Sequence, residues 1–350
     1  MSHNTKIFSL DSFINQALYN PKNGFYMKKN PFGYKGDFIT SPNISILFSE
    51  MLSIWTIAFW QKLKCPKKIN LIELGSGNGQ MLYDMINSLK NFPEFYKSCN
   101  FFILEKSPYL IKIQKKKLKE FNIKWIKNIS EIKNGHNIFV ANEFFDALPF
   151  KQFFKINNKW MERFVVVDKY KKNSFTNINV NIKKIEKELC FKISKNQKII
   201  EYSPIALKYL KNISKKINNK KGCLLIIDYG YLDNAMQDTM MSIRKHKIIN
   251  TLSKFGNSDI TYKLNFKILK KITNKLKLKC QAITSQRNFL MSLGIEQRAE
   301  ILSINLPFSK KVDVYYRLKR LIDKNQMGDL FKVMLITNKN INFKTGFEID

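Results

Sequence analysis

Three glycines spaced two residues apart follow an apolar segment in the stretch LIELGSGNGQ. Gly75, Gly77 and Gly79 can adopt backbone conformations that other residues avoid, and they let a ligand approach the backbone closely. Glu73 lies near the end of that segment, and the next apolar segment ends at Glu105, whose carboxylate could accept both hydroxyl groups of a ribose. A strand, a glycine turn and a helix N-terminus favour a nucleoside-bearing cofactor, and an ordinary strand-to-helix turn is the alternative.

The elements that must position this loop follow a repeating order from residue 69 onward. Apolar strands alternate with helices predicted at 78–90, 107–120 and 309–325, which is typical of an α/β fold whose mostly parallel sheet is covered on both faces. The predicted strands are INLIEL, NFFILE, IKWI, HNIFVAN, GCLLIID, LKCQAIT and FKVMLIT.

Two insertions interrupt this pattern. Residues 150–200 predict short strands (FKQFFKIN, MERFVVV and ELCFKIS), and residues 230–265 are polar and predict irregular structure. Insertions of this size beyond strand ends usually build substrate-facing surface. The first 65 residues predict an N-terminal helical extension and lid, with helices at 9–20 and about 44–63, so residues 66–350 form the main domain.

The net charge of +34 comes almost entirely from lysine, since only six of the 61 basic residues are arginine. Dedicated phosphate and base recognition relies on the planar guanidinium of arginine. The lysines are spread along the whole chain beside abundant Asn and Ile, which indicates compositional drift. We therefore expect only nonspecific, salt-sensitive attraction to polyanions.

The five cysteines are scattered singly without a CxxC motif, and the three histidines show no ligand spacing, so neither a metal site nor a disulfide framework is predicted. The start of the chain lacks the features of a signal or transit peptide. The apolar run at residues 44–60 is short for a membrane span and contains Glu50, which favours a buried helix. These features predict a cytoplasmic protein without a membrane span.

Several sequence blocks resemble one known family over nearly the whole chain. GDFITSP, LIELGSGNG, NEFFDALPFKQF, EYSPIALKYL, LLIIDYG, DITYKLNF and TSQRNFLMSLGIEQRAEIL occur in this order. They are similar to the MidA/NDUFAF7 family of class I S-adenosylmethionine-dependent methyltransferases, whose mitochondrial member dimethylates an arginine on a respiratory complex I subunit. The resemblance implies S-adenosyl-L-methionine as cofactor and a protein substrate such as a complex I subunit.

The same resemblance implies the class I methyltransferase (Rossmann-like) fold, a seven-stranded, mostly parallel sheet with an antiparallel last strand. Two family motifs differ in this sequence. The usual GPGRG is GSGNG at residues 75–79, and the usual FGE is FSE at residues 48–50. The first change keeps all three glycines and the second keeps the acidic residue, so cofactor binding is still expected.

Methyl transfer to a guanidinium needs a group that orients the acceptor and stabilises the charge that develops on it, and carboxylates do both. Glu143 and Asp146 follow a predicted strand that ends at Asn142, at the edge where parallel sheets bind ligands. We expect the two acids to be catalytic and Asn142 to contact the cofactor. Alternatively, Glu143 caps the next turn and Asp146 pairs with a surface lysine. Glu162 is a further candidate, or pairs with Arg163.

The stretch GDFITSP could form a lid over the cofactor or the acceptor. In that interpretation Asp37 is a candidate catalytic residue, and Thr40 and Ser41 are candidate substrate contacts. A simple turn and cap before the following helix is the alternative.

A further strand ends at Asp228 and Tyr229 and so faces the same edge of the sheet. Both are candidate substrate contacts, and a cap of the next segment is the alternative for Asp228. His246, in the second insertion, could line the substrate channel or simply lie on the surface.

The sequence therefore favours a protein-arginine methyltransferase acting on a complex I subunit or related protein. One alternative is a methyltransferase for RNA or a small molecule, which only the net charge supports. The other is a non-catalytic assembly chaperone that binds the cofactor for stability. The oligomeric state is not specified by any motif.

Overall fold

The computed structural model describes residues 5–33, 36–133, 135–168 and 172–348, so residues 1–4 and 34–35 of the predicted N-terminal extension lie outside it. The strands are β1 (Lys6–Ser9), β2 (Ile69–Leu74), β3 (Cys99–Leu104), β4 (Ile123–Ile126), β5 (His136–Asn142), β6 (Lys151–Ile156), β7 (Lys159–Val167), β8 (Asn173–Asn179), β9 (Ile199–Tyr202), β10 (Gly222–Tyr231), β11 (Met241–Arg244), β12 (Lys247–Ile249), β13 (Asp259–Thr261), β14 (Leu264–Asn265), β15 (Leu278–Ser285) and β16 (Phe331–Asn338).

The helices alternate with these strands along most of the chain. They are α1 (Leu10–Tyr19), α2 (Phe25–Lys28), α3 (Ser41–Ile44), α4 (Ile46–Lys62), α5 (Gln80–Leu89), α6 (Pro93–Ser98), α7 (Pro108–Lys117), α8 (Ile182–Leu189), α9 (Pro204–Lys220), α10 (Phe266–Lys275), α11 (Gln286–Ser292), α12 (Ile295–Ser303) and α13 (Phe308–Ile322).

The central sheet has the strand order β15-β16-β10-β5-β2-β3-β4, and the two-residue β14 pairs with β10 beside this path. The five strands from β10 to β4 are parallel, whereas β16 is antiparallel to both of its neighbours. All six residues of β2 are buried, as expected for a strand covered on both faces. The α/β fold with a mostly parallel sheet and an antiparallel last strand is confirmed.

Helix α4 explains the long apolar run near the N-terminus. Its side chains are buried around most of its circumference, including Trp55 and Phe59, so it lies within the core. Glu50, its one acidic residue, forms a bidentate ion pair with Arg298 of α12, with both N–O distances 2.8 Å. Among the described helices, none combines the length and the hydropathy that crossing a bilayer requires.

The first insertion builds a separate antiparallel sheet, which differs in part from the sequence prediction. Strand β7 pairs with β8 along one edge and with β6 and β1 along the other, and β9 pairs with β6. The predicted strand ELCFKIS is wrong, since its first residues end helix α8 and the remainder is irregular. Ile185 and Leu189 are buried four residues apart, which is helical spacing.

The second insertion is irregular only in part, because it also contains short strands that were not predicted. Strands β11, β12 and β13 form a small antiparallel sheet. Lys245 and His246 form the two-residue turn between β11 and β12, and both have positive φ, as such hairpin turns require. Because β1 joins the insertion sheet and α4 joins the core, the division of the chain at residue 65 stays a prediction.

Candidate active site

A cleft opens at the carboxyl ends of β2 and β5, and we call it the cofactor cleft. This is the edge of a parallel sheet at which ligands bind. Its lining residues are Phe32, Thr40, Pro42, Asn43, Glu73, Gly75, Ser76, Gly77, Asn78, Gln80, Met81, Asn142 and Glu143.

The glycine loop forms one wall of the cofactor cleft. Gly75, Gly77 and Gly79 all have positive φ, at 70°, 53° and 79°. A Cβ atom on Gly77 would lie 3.1 Å from the ring of Phe32, and one on Gly75 would lie 2.7 Å from the ring of Phe144. The glycines are therefore required by backbone conformation and by neighbouring aromatic rings as well as by any ligand.

Glu73 lies beneath the loop, buried, with its carboxylate against the cleft. Its Oε2 accepts a hydrogen bond of 2.5 Å from Oγ of Ser76. Burial raises the pKa of Glu73 to about 7, although the Ser76 hydrogen bond acts to lower it. The side chain therefore changes its charge near neutral pH, which a bound cationic ligand would shift towards the ionised form.

Glu105 is not among the residues that line the cleft, but hydrogen bonds connect it to the glycine loop. Its Oε1 accepts hydrogen bonds from the backbone N–H groups of Lys106 and Ser107, at 2.8 and 2.9 Å. Its Oε2 accepts one of 3.0 Å from Gln114, whose Nε2 also donates to the carbonyl of Gly77 at 2.9 Å. Gln114 is completely buried and fixes Glu105 relative to the glycine loop. Sequence reasoning missed this residue because it lies on the lysine-rich helix α7.

Asn142 ends β5 inside the cleft and is 8% exposed. Its Nδ2 donates to Oε1 of Glu143 at 3.1 Å, while its Oδ1 is buried and has no hydrogen-bond partner. A buried acceptor without a donor is costly, and a ligand that donates a hydrogen bond removes the cost.

Glu143 stands between the cleft and a group of further acids. It has φ of 51°, a left-handed conformation that few residues other than glycine adopt and that often marks functional positions. Its Oε1 accepts a hydrogen bond of 3.2 Å from the backbone N–H of Ser41. Burial, and then the charge of Asp146, raises the pKa of Glu143 to about 8.

Asp146 and Asp259 extend this acidic region away from the cleft. Oδ2 of Asp146 accepts a hydrogen bond of 3.2 Å from Thr261, whereas its Oδ1 is buried without a partner. Oδ1 of Asp259 accepts one of 3.0 Å from the hydroxyl of Tyr26. Burial raises the pKa of Asp146 to about 6, and burial together with the charge of Asp146 raises that of Asp259 to about 7.

Asp228 is completely buried, and its carboxylate caps backbone N–H groups. Its Oδ2 accepts hydrogen bonds from the backbone N–H groups of Phe145 and Asp146, at 3.0 and 3.4 Å, and its Oδ1 accepts one from Tyr229. Burial raises its pKa well above the ordinary range, and the charges of Asp146 and Glu143 act in the same direction. These contacts favour the cap alternative and hold the turn that carries Glu143.

We call Glu143, Asp146, Asp228 and Asp259 the acid cluster. None of the four forms an ion pair with a basic side chain in the part of the chain that the structure describes. Asp228 and Asp259 are buried and Glu143 and Asp146 are partly buried, and carboxyl groups in such a cluster repel one another when ionised. The arrangement can therefore hold a cationic ligand beside the cofactor cleft.

The predicted lid residues divide into two groups. Thr40 lines the cleft, and Ser41 contacts Glu143 through its backbone. Asp37 instead pairs with Lys29 at 2.5 Å and accepts the backbone N–H of Lys245 at 2.9 Å, which favours its structural alternative. His246 is exposed in the β11–β12 turn, where its N–H donates to the Asp37 carbonyl.

Two other candidates lie outside the cleft lining. Tyr229 packs near Phe331, with Lys263 over its ring at 4.9 Å. Glu162 pairs with Lys151 at 2.6 Å, so the expected pairing with Arg163 is wrong. The first insertion therefore contributes Glu162 to its own sheet, beside β6.

The family model that matches residues 51–284 is described as "Putative S-adenosyl-L-methionine-dependent methyltransferase". The protein arginine methyltransferase NDUFAF7 of Xenopus laevis, a mitochondrial protein, is 28% identical over 93% of this chain and 79% of its own length. Its human counterpart, also mitochondrial, is 27% identical over 91% of this chain and 77% of its own length. The predicted cytoplasmic location is wrong, because these relatives are mitochondrial.

The fold is also similar to a solved structure. A protein from Burkholderia thailandensis bound to S-adenosyl-homocysteine superposes with a TM-score of 0.82, covering 97% of this chain and 90% of that one. The sequence identity is 20%, so this likeness supports the fold.

Proposed function

The chain belongs to this family of S-adenosyl-L-methionine-dependent methyltransferases, and on that premise we propose that it methylates an arginine side chain of a protein. The names of the relatives from Xenopus laevis and human support this substrate class. The acid cluster independently supports an arginine substrate, because its carboxyl groups lie beside the cofactor cleft and pair with no basic side chain among the described residues. By analogy with the family resemblance, a subunit of respiratory complex I or a related protein is the proposed substrate.

The cofactor cleft fits S-adenosyl-L-methionine in two respects. The glycines of the loop let its backbone line the cleft, and Oδ1 of Asn142, which has no hydrogen-bond partner among the described residues, can accept a hydrogen bond from the ammonium group of the cofactor. Glu73 can balance positive charge, and Glu105 is the proposed acceptor for ribose hydroxyl groups. When bound, the cofactor supplies an activated methyl group on a sulfonium.

Glu143 is the residue proposed to orient the acceptor. It lines the cleft on one side and adjoins Asp146 on the other, so a guanidinium held by these carboxylates would lie next to the cofactor. Paired carboxylates bind the planar guanidinium through charge-assisted hydrogen bonds. The strained φ of Glu143, fixed by the hydrogen bond from its N–H to the Ile227 carbonyl at 2.9 Å, supports such preorganisation.

The acid cluster can also take up a proton. The nitrogen that gains a methyl group must lose a proton, and Asp146 has a buried oxygen without a partner. Asp259, held by Tyr26, is the next carboxyl group along. We propose Asp146 as the proton acceptor and Glu143 as the orienting group.

Mass spectrometry of the host proteome, with and without this protein, tests the proposal. We expect methylated arginine at one or a few protein sites to disappear when the protein is absent. Unchanged arginine methylation together with a lost methyl group on RNA or a small molecule would contradict the proposal.

A further inference from the structure

Helices α12 and α13 carry an exposed row of large apolar side chains, which we call the apolar stripe. Phe308 is 82% exposed and Tyr316 is 60% exposed, and the other members are at least 45% exposed. Isolated exposed apolar residues are common on protein surfaces, whereas contiguous patches mark interaction sites. The stripe consists of Ile301, Ile304, Phe308, Val312, Tyr315 and Tyr316.

Helical spacing places the α13 members on one face. Phe308, Val312 and Tyr315 follow one another at intervals of four and three residues, and Tyr316 adjoins them. Other residues of α13 pack against the rest of the protein, since Leu318 and Leu321 are buried. Packing within the described chain therefore leaves the stripe uncovered.

The charge around the stripe is positive on balance. Residues 295–322 contain six basic residues and three acids, of which Asp313 is paired with Arg317 at 2.8 Å and Glu296 and Glu300 are exposed on α12. Lys319 is exposed on the same helix, one turn after Tyr315 and Tyr316, whereas the exposed Lys310 lies on another side of the helix. The whole chain has a net charge of +34, so a second copy brought to this surface would meet electrostatic repulsion.

We propose that the apolar stripe docks this protein on an anionic lipid surface. A helix with aromatic and aliphatic side chains on one face and lysines beside them is the arrangement that lies in a membrane interface. Tyrosine suits that position because its ring is apolar and its hydroxyl group stays hydrated. Lysines near an anionic leaflet add attraction that decreases as salt increases.

The docked helix is fixed to the cofactor cleft. Nη1 of Arg317 donates a hydrogen bond of 3.1 Å to the carbonyl of Ile44 at the end of α3, and Pro42 and Asn43 of α3 line the cleft. A protein bound through the stripe would therefore hold the cleft close to the lipid surface. This inference goes beyond the proposed methyl transfer and does not depend on it.

Cosedimentation with sucrose-loaded vesicles tests the proposal, using phosphatidylcholine alone and phosphatidylcholine with phosphatidylglycerol. We expect binding only to the anionic vesicles. The double variant Phe308→Ser with Tyr316→Ser should lower the partition coefficient by about tenfold or more, because two aromatic rings no longer insert. Lys319→Gln should lower it by about fivefold.

A matched control is Ile248→Ser, since Ile248 is 75% exposed on β12, outside the stripe. It should leave vesicle binding unchanged. Because all the substituted side chains are exposed, thermal unfolding should report intact folds. Equal vesicle binding by the wild type and the Phe308/Tyr316 variant would overturn the proposal, as would the absence of vesicle binding. Sedimentation velocity showing that the stripe joins two copies of the chain would also overturn it.

Discussion

Replacing Glu143 by glutamine removes the negative charge that this side chain carries when ionised, at the boundary between the cofactor cleft and the acid cluster, while keeping the shape of the side chain. The amide oxygen can still accept the hydrogen bonds that Oε1 receives from Ser41 and Asn142. The substitution therefore preserves the local structure and tests the charge alone.

The expected effect on turnover is large. Losing one preorganised electrostatic contact at a reacting centre costs about 10²–10³ in rate, or about 2.7–4 kcal/mol. The affinity for S-adenosyl-L-methionine should stay within a few-fold of the wild type, because the glycine loop and Asn142 are unchanged. Stability should not decrease, since a neutral amide suits a site in which burial, and then the charge of Asp146, raises the pKa of Glu143 to about 8.

Turnover with arginine-containing protein substrates, calorimetric titration of the cofactor and thermal unfolding should be measured on the same variant. Glu162→Gln is a matched control, because Glu162 pairs with Lys151 on the insertion sheet, and it should leave turnover unchanged. A Glu143→Gln variant that turns over normally but loses about 1 kcal/mol of stability would identify Glu143 as a structural cap and refute the reasoning.

Three further predictions concern the cofactor cleft and pH. Gly77→Ala should weaken cofactor binding by about tenfold in calorimetry, because its Cβ would lie 3.1 Å from the ring of Phe32 in the cleft lining and a left-handed alanine costs about 1–2 kcal/mol, whereas Gly294→Ala, also left-handed but at the start of α12, should not. Gln114→Met should weaken cofactor binding without altering the pH profile, since it releases Glu105 from the glycine loop; normal affinity would contradict that link. The KM for the arginine substrate should fall as pH rises through about 8, because a cation binds the ionised form of Glu143, whose pKa is raised; a KM independent of pH would contradict this.

The central sheet could be predicted because its strands are uninterrupted apolar runs. The segment INLIEL is strand β2 at residues 69–74, and FKVMLIT accounts for all but one residue of β16. Such strands are buried on both faces, so hydrophobicity alone marks them. Short strands in the insertions carry no comparable signal, which is why β11 to β13 were not predicted.

The candidate site could be predicted only in part, because some of its residues are close in the sequence and others are far apart. Motifs that are local in sequence, the glycine loop and the stretch containing Glu143, could be recognised directly. Asp259 and Tyr26 are hydrogen bonded although 233 residues separate them, and no periodicity encodes such a pair. The block DITYKLNF does begin with Asp259, so the family resemblance contained the one available signal.

Asp37 was predicted to be catalytic from its position in a motif, whereas its contacts favour a structural role. Its carboxylate is used to join Lys29 to the backbone of Lys245, so it fastens the N-terminal segment to the second insertion. Sequence shows which residue types are present at a motif, whereas hydrogen-bond partners show which of their atoms are still available to a substrate.

Labelling of a lysate from cells lacking this protein tests the central claim most directly. The purified chain and its Glu143→Gln variant are each incubated with methyl-deuterated S-adenosyl-L-methionine, and the labelled residues are identified by tandem mass spectrometry. The proposed function predicts deuterated methyl groups on arginine of one or a few proteins with the wild type, and at least about a hundredfold less with the variant. Label on lysine or RNA, or equal labelling of arginine by both proteins, would contradict it.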